Sequence, residues 1–399
     1  MVHYGAQRPW PARDTPQPDA EPRSTMPRKR SAKAFWANLL LLSATLLIAF
    51  VAFELAFRST HYRYLTHPPS EIPPGYYVEE PELGVDLASD YPPATFRMRG
   101  PSSEVFTNQW GCFDHDGPIS DDYLLAIGDS STWGYAELED KWTTHLETLS
   151  GRRVLKCGIT GTGPKHQELK ARKTIAKVGL SPTIILVLYD KWNDFNDDVL
   201  FPDDVVIDGH RATTVKSLDL RTGKLIHHTR AEVEAKYRQY LQEREAFSLT
   251  RFLTQHLTTA AMLREVLDKV YAYATRDHGP ILTEPTEVYL WRVDTARYPW
   301  VVEAFEEHLD NIRALRRMAE EHGAELVLIT DKFPDTDLHV RLRAFLDKEI
   351  PYHIDVAEPM ARAAQGQRTR YHHDGHWNAL GNRLAGEIIH RYLVEAGLI

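Results

Sequence analysis

The run Tyr123-Leu124-Leu125-Ala126-Ile127 passes without a polar interruption into Gly128-Asp129-Ser130, and no other stretch constrains the fold as strongly. A short apolar run closed by a glycine reads as a strand buried on both faces. A serine on the tight turn after such a strand stands at the carboxyl edge of a sheet, where open α/β sheets bind their ligands. Taken alone, Gly-Asp-Ser is an ordinary strand-ending turn. Its meaning depends on what else the chain brings to that edge.

Three later segments bring candidates in a consistent order. The apolar stretch from Val154 to Cys157 runs into Gly158-Ile159-Thr160-Gly161-Thr162-Gly163, where glycine lets a backbone N–H approach a ligand with no Cβ in the way. Ile184-Ile185-Leu186-Val187-Leu188-Tyr189 is a second buried-strand pattern and leads to Trp192-Asn193-Asp194. Near the C-terminus, His372-His373-Asp374-Gly375-His376-Trp377-Asn378 precedes a helical pattern with Leu380, Leu384 and Ile388 on one face. Together these residues supply the parts of acyl transfer. Ser130 is the expected nucleophile, His376 its general base, and Asp374 the group that fixes the imidazole tautomer. The N–H groups of Ser130 and Gly161, with the Asn193 side chain, are the expected oxyanion donors.

Each segment also has a plainer reading. Asn193-Asp194 is followed by Asn196, Asp197 and Asp198, a composition that suits a solvated polar loop. Gly158, Gly161 and Gly163 can be turn chemistry alone, and Trp133, Trp142 and Leu146 read as core. His372, His373, Asp374 and His376 are all metal-ligand types, but their spacing matches no zinc pattern and the helical H-E-x-x-H arrangement is missing. Residues two apart do not share a helix face, so Asp374 can reach His376 only in a loop. Gly375 between them, and Asn378 as an N-cap, are consistent with one.

From about Asn108 to the C-terminus, the chain resembles the SGNH (GDSL-type) hydrolase family. The serine block is Ile127-Gly128-Asp129-Ser130-Ser131-Thr132-Trp133-Gly134, and the glycine block is Gly158-Ile159-Thr160-Gly161. Trp192-Asn193-Asp194 forms the asparagine block, and Asp374-Gly375-His376-Trp377-Asn378-Ala379-Leu380-Gly381 the histidine block. The resemblance implies a three-layer α/β/α fold, flavodoxin-like, with a mostly parallel sheet. It also implies a serine esterase or O-acyltransferase without metal or organic cofactor. One departure stands out: His373 occupies the place, three residues before the histidine, where the family usually carries aspartate. The D-x-H-W variant is similar to membrane-anchored members acting on acylated glycans, so the acid is assigned to Asp374. The expected reaction is hydrolysis of small, acetyl-like O-acyl esters of a carbohydrate-containing substrate. O-acyl transfer by the same residues and non-catalytic glycan binding are the alternatives.

The remaining sequence sets the location. From Ala34 to Phe53 about twenty residues carry no charge, long enough at about 1.5 Å each to cross a hydrocarbon core of about 30 Å. Residues 34–57 are therefore read as a transmembrane helix, and 1–33, rich in Pro, Arg and Asp, as a disordered cytosolic tail. Arg28, Lys29, Arg30 and Lys33 precede the span, which orients the N-terminus inward and the remainder outward, as a single-pass membrane protein with an extracytoplasmic catalytic domain. A net charge of −9 with no basic stripe outside the N-terminus gives no reason to expect nucleic-acid binding. Cys112 and Cys157 are the only cysteines; in an exported domain they can pair, and two separate buried thiols fit as well. Residues 58–122 read as a stalk with short β structure, and 123–399 as the catalytic domain, with a helical insertion over about 199–299. Within the insertion, Glu232–Glu245 and Leu253–Ala274 look helical, as either a cover for the sheet or a cap over the serine. Past it, Trp300–His322 reads as a helix with Val302, Phe305, Leu309 and Ile312 inward.

Overall fold

The computed structural model describes residues 32–67, 71–98, 102–191, 193–200, 204–212, 216–219, 224–275, 290–292, 295–296, 298–331, 336–372 and 374–399. The tail expected over 1–33 falls almost wholly outside them, as do Trp192 and His373. The chain divides into two compact units, Met1–Phe53 and Glu54–Ile399. In the first, helix α1 (Ala32–Arg58) begins. Its Lys33–Arg58 stretch, with mean hydropathy 2.4 over its most apolar 18 residues, is the one helix among the described residues long and apolar enough to cross a membrane.

After the end of α1 and a 3-10 helix at His61–Thr66, the second unit carries two antiparallel hairpins, β1 (Tyr77–Glu80) with β2 (Gly84–Leu87) and β3 (Ala94–Arg97) with β4 (Ser102–Val105). Then come β5 (Leu124–Gly128), α2 (Ser130–Trp133), α3 (Trp142–Ser150), β6 (Val154–Lys156), α4 (Pro164–Val178), β7 (Ile184–Tyr189) and α5 (Asp194–Leu200). The insertion holds hairpins β8 (Val205–Ile207) with β9 (His210–Ala212) and β10 (Lys216–Asp219) with β11 (Lys224–His227), followed by α6 (Arg230–Glu245), α7 (Leu249–His256) and α8 (Thr258–Thr275). The chain closes with α9 (Trp300–Glu321), β12 (Glu325–Thr330), α10 (Asp337–Glu349), β13 (Tyr352–Asp355), α11 (Ala357–Ala364) and α12 (Ala379–Glu395).

Five strands form one parallel sheet in the order β13-β12-β7-β5-β6. Its inner strands β5 and β7 are apolar end to end because both faces are covered, and successive side chains point to opposite sides. Leu125, Ile127, Ile185, Val187 and Leu328 meet α4, α9 and α10, while Leu124, Ala126, Leu186, Val327 and Ile329 meet α3, α11 and α12. This is the three-layer α/β/α architecture. Strand β5 has β6 on one side and β7 on the other, so the strand order reverses at its carboxyl end and leaves a crevice there. Ser130 lies two residues past that end.

The N-terminal hairpins wrap an aromatic cluster around Trp133, whose ring centroid lies 5.3 Å from those of Phe96 and Phe113. Its indole N–H donates to Tyr76 Oη at 2.9 Å. A disulfide joins Cys112, ahead of the sheet, to Cys157, just past β6. Two helical expectations shift. In α9 the inward residue is Val301, fully buried, rather than Val302, because the i, i+4 spacing from Phe305 runs through it. The helix expected over Leu253–Ala274 is two helices, broken where Leu257 adopts extended backbone.

Candidate active site

Gly128 ends β5 with φ +151°, a backbone that favours glycine. A Cβ there would lie 2.2 Å from Thr132 Oγ1 and 3.0 Å from the Leu188 carbonyl oxygen, so no side chain fits between the strand and its neighbour. Asp129 caps the short α2, its carboxylate accepting from Ser131 N–H at 2.8 Å. Ser130 follows as the first residue of α2 and is buried to 8% exposure. Gly158 is equally confined, since a Cβ would approach the Trp133 nitrogen to 2.5 Å. The glycine block thereby packs directly against the backbone of the serine turn.

The histidine segment is a loop ending at α12, where the Asn378 side chain accepts from Gly381 N–H at 3.0 Å. This loop carries His376 Nε2 to 2.8 Å from Ser130 Oγ. On the other side of the ring, Nδ1 bonds Asp374 Oδ1, which also accepts the His376 backbone N–H at 2.8 Å. With Asp374 ionised, Nδ1 holds a proton and Nε2 is left to accept the serine's. Burial by itself would lower the His376 pKa. The hydrogen bond and charge of Asp374, with the charges of Asp129 and Asp190, outweigh it and raise the pKa above its ordinary value. Tyr135 packs on the imidazole with ring centroids 4.0 Å apart, and Arg370 donates to the Gly375 carbonyl and pairs with Asp331. Ser131, Asp190, Lys191, Asp331, Arg370 and Trp377 border the adjoining cleft.

Gly161 has φ +63°. Its carbonyl accepts from Arg211 Nη2 at 2.6 Å, and the Thr160 carbonyl accepts from Arg211 Nη1. Arg211 reaches the glycine turn from β9 in the insertion and is anchored by Asp204 at 2.6 Å. The Asn193 Nδ2 group donates to Asp129 Oδ2 at 3.0 Å and Asp197 Oδ2 at 2.9 Å. Both amide protons are thus directed at carboxylates, and the asparagine meets the serine through Asp129, whose Oδ2 lies 3.1 Å from Ser130 Oγ.

The acidic segment after Asn193 is a buried helix rather than a solvated loop. Asp194, Asn196 and Asp197 are buried, and neither oxygen of Asp194 has a hydrogen-bond partner among the described residues. Burial, then the charge of Asp129, pushes Asp194 and Asp197 well above the usual carboxylate range. Asp129 itself is raised to about 6 by burial and by Asp190. Asp198 is bonded by His308 Nδ1 at 2.7 Å, and His308 Nε2 bonds Tyr189 Oη at 2.8 Å. Among the described residues, no group of three His, Cys, Asp or Glu side chains is placed to hold a metal.

The sequence reading passed over Arg211, Arg370 and Tyr135. Nothing local marks an arginine in a short hairpin as the partner of a turn 50 residues earlier. No family model matches the sequence, and no curated protein matches it. Solved structures similar to the chain include a member of the lipolytic protein G-D-S-L family from Veillonella parvula, at 11% identity and TM-score 0.31, covering 68% of this chain and 96% of that one. A GDSL-like lipase from Bacteroides thetaiotaomicron is similar at 11% identity and TM-score 0.32, over 71% of this chain and 93% of that one. A carbohydrate esterase family 2 enzyme from Corynascus thermopiles is similar at 10% identity and TM-score 0.33, over 75% of this chain and 72% of that one.

Proposed function

We propose that the chain is a membrane-anchored serine esterase of SGNH type that hydrolyses small O-acyl esters on a carbohydrate-containing substrate, outside the cytosol. The observation that carries this reading is the 2.8 Å approach of His376 Nε2 to Ser130 Oγ, with Nδ1 bonded to Asp374. Ser130 Oγ attacks the ester carbonyl while its proton passes to His376 Nε2. The carbonyl oxygen becomes an oxyanion facing the N–H groups of Ser130 and Gly161, with Asn193 turning from Asp129 as a third donor. The C–O bond to the alcohol breaks, and His376 returns the proton to that oxygen. Water then adds to the acyl-enzyme with His376 again as base, which releases the acid and restores the serine.

The narrow cleft beside Ser131 suits a small acyl group, and its charged border of Asp190, Lys191, Asp331 and Arg370 suits a leaving group rich in hydroxyls. The apolar α1 segment and the basic residues before it support an anchor with the catalytic unit exported. The test uses the full chain in detergent with p-nitrophenyl acetate. Ser130→Ala should remove at least about a thousandfold of the turnover. A fluorophosphonate should label the parent and not the variant, and EDTA should leave the rate unchanged. Equal rates for parent and Ser130→Ala overturn the reading.

A further inference from the structure

Helices α7 and α8 carry apolar side chains that the protein does not cover. In α7, Leu249, Phe252 and Leu253 fall at i, i+3 and i+4, and Leu249 is 62% exposed. In α8, Leu263, Val266, Leu267 and Val270 fall at i, i+3, i+4 and i+7, with exposures between 53% and 60%. Phe247, just ahead of α7, is 82% exposed. Each helix therefore presents an apolar stripe to the outside, one face of a 3.6-residue period. Contiguous apolar surface of this kind on an otherwise folded protein marks an interaction site.

What covers that surface follows from where the pair is fastened. Glu54 directly follows the apolar run Ala34–Phe53. Its buried carboxylate accepts from Thr258 N–H at 2.8 Å, and from Thr259 N–H at 2.9 Å and Oγ1 at 2.7 Å. It thus caps the N-terminus of α8, satisfying donors that the break at Leu257 frees. Arg58 bonds Glu54 at 2.8 Å and donates to the His256 carbonyl at the end of α7. The α7–α8 joint is thereby held by the first residues past the apolar run. Between Phe247 and Val270 the charges nearly balance, with Arg251, Arg264 and Lys269 against Glu265 and Asp268.

We propose that α7 and α8 lie in the surface of the bilayer, with Leu249, Phe252, Leu263, Val266, Leu267 and Val270 among the lipid, as an in-plane second attachment beside the span. This rests on the membrane-anchor part of the proposed function, and on none of its chemistry. Helices with an apolar face and a charged opposite face take that position through buried apolar area. With charge nearly balanced, the attachment does not require anionic lipid.

The test uses the full chain reconstituted in phosphatidylcholine vesicles, with one added cysteine carrying the fluorophore NBD in each of three variants. Leu267→Cys probes α8, Leu42→Cys probes the span, and Val340→Cys probes an exposed apolar position on α10. The label at 267 should emit at shorter wavelength than that at 340. Phosphatidylcholine spin-labelled near the headgroup should quench 267 strongly, and lipid spin-labelled deep in the chain should quench 42 strongly. Neither should quench 340, and added anionic lipid should change nothing. If 42 is quenched and 267 is not, the in-plane attachment fails and the anchor stands. A blue-shifted but unquenched 267 means that protein covers the face, which also overturns it, as does equal quenching at 267 and 340. If 42 is unquenched, the anchor fails and the inference falls with it.

Discussion

The carboxyl edge of the sheet and the α7–α8 pair treat their side chains in opposite ways. At the sheet edge, polar groups are drawn out of water, and those beside Ser130 are held by one another. Asp129 alone accepts from Ser131 N–H and Asn193 Nδ2 and lies against Ser130 Oγ. In α7 and α8 it is apolar groups that stay outside, along a regular stripe. Buried polar groups are costly unless bonded, and exposed apolar groups are costly in water but not in lipid. The first arrangement is what chemistry at a fixed point requires. The second is what a nonaqueous surrounding requires. One chain carries both because the insertion serves each end: Arg211 on β9 reaches the glycine turn, while α8 is capped by Glu54.

The largest expected effect tests whether the edge is organised around one proton path. Asp374→Asn should lower kcat by about ten-thousandfold by presenting the imidazole in the wrong tautomer, with the circular dichroism spectrum unchanged. A loss below tenfold would mean that Asp374 only braces the loop. Next is Arg211→Met, which takes the guanidinium away from buried Asp204 and from the carbonyls of Thr160 and Gly161. Removing one partner of such a pair costs on the order of 3–5 kcal/mol, seen as a lower melting temperature together with slower turnover. Arg211→Lys should not restore both bonds, because the two carbonyls need the guanidinium fork. Normal stability and rate in Arg211→Met would separate the insertion from the site.

The pH profile gives a smaller effect. The raised His376 pKa means that the ring stays protonated above its ordinary value of 6.5. A general base must be neutral, so kcat/KM should fall by about tenfold per pH unit on an acid limb lying above pH 6.5. Asp374→Asn removes the main group that raises the pKa, and its residual activity should show that limb at lower pH. An acid limb below 6.5 in the parent would contradict the electrostatics of the site.

Much of the sheet was legible because a strand covered on both faces must be apolar throughout. Leu124–Gly128 and Ile184–Tyr189 have no other way to be buried. The members of the site were named from the order of their segments, and the structure sets Ser130, His376 and Asp374 in hydrogen-bonding sequence. What escaped depends on partners far along the chain. The break at Leu257 is stabilised by Glu54, 204 residues from Thr258, and no propensity within α7 or α8 encodes it. Asp194 and Asp197 resemble loop residues by type, and only burial beside Asp129 shows them to be interior. The direction of the Asn193 amide was likewise out of reach, since it depends on two carboxylates that folding gathers.

The smallest effect is the sharpest on the comparison itself. Leu186, at the centre of β7, is fully buried between layers, whereas Leu267 on α8 is 57% exposed. Leu186→Ala should cost about 2–5 kcal/mol through lost burial and the cavity left behind. Leu267→Ser, measured on the full chain in detergent, should stay within about 0.5 kcal/mol of the parent, because a side chain left mostly exposed contributes little to folding. Thermal unfolding of the two variants side by side decides the matter. A loss at Leu267 close to that at Leu186 would mean that α8 packs its apolar stripe against protein. The contrast between a closed polar edge and an open apolar helix pair would then no longer hold.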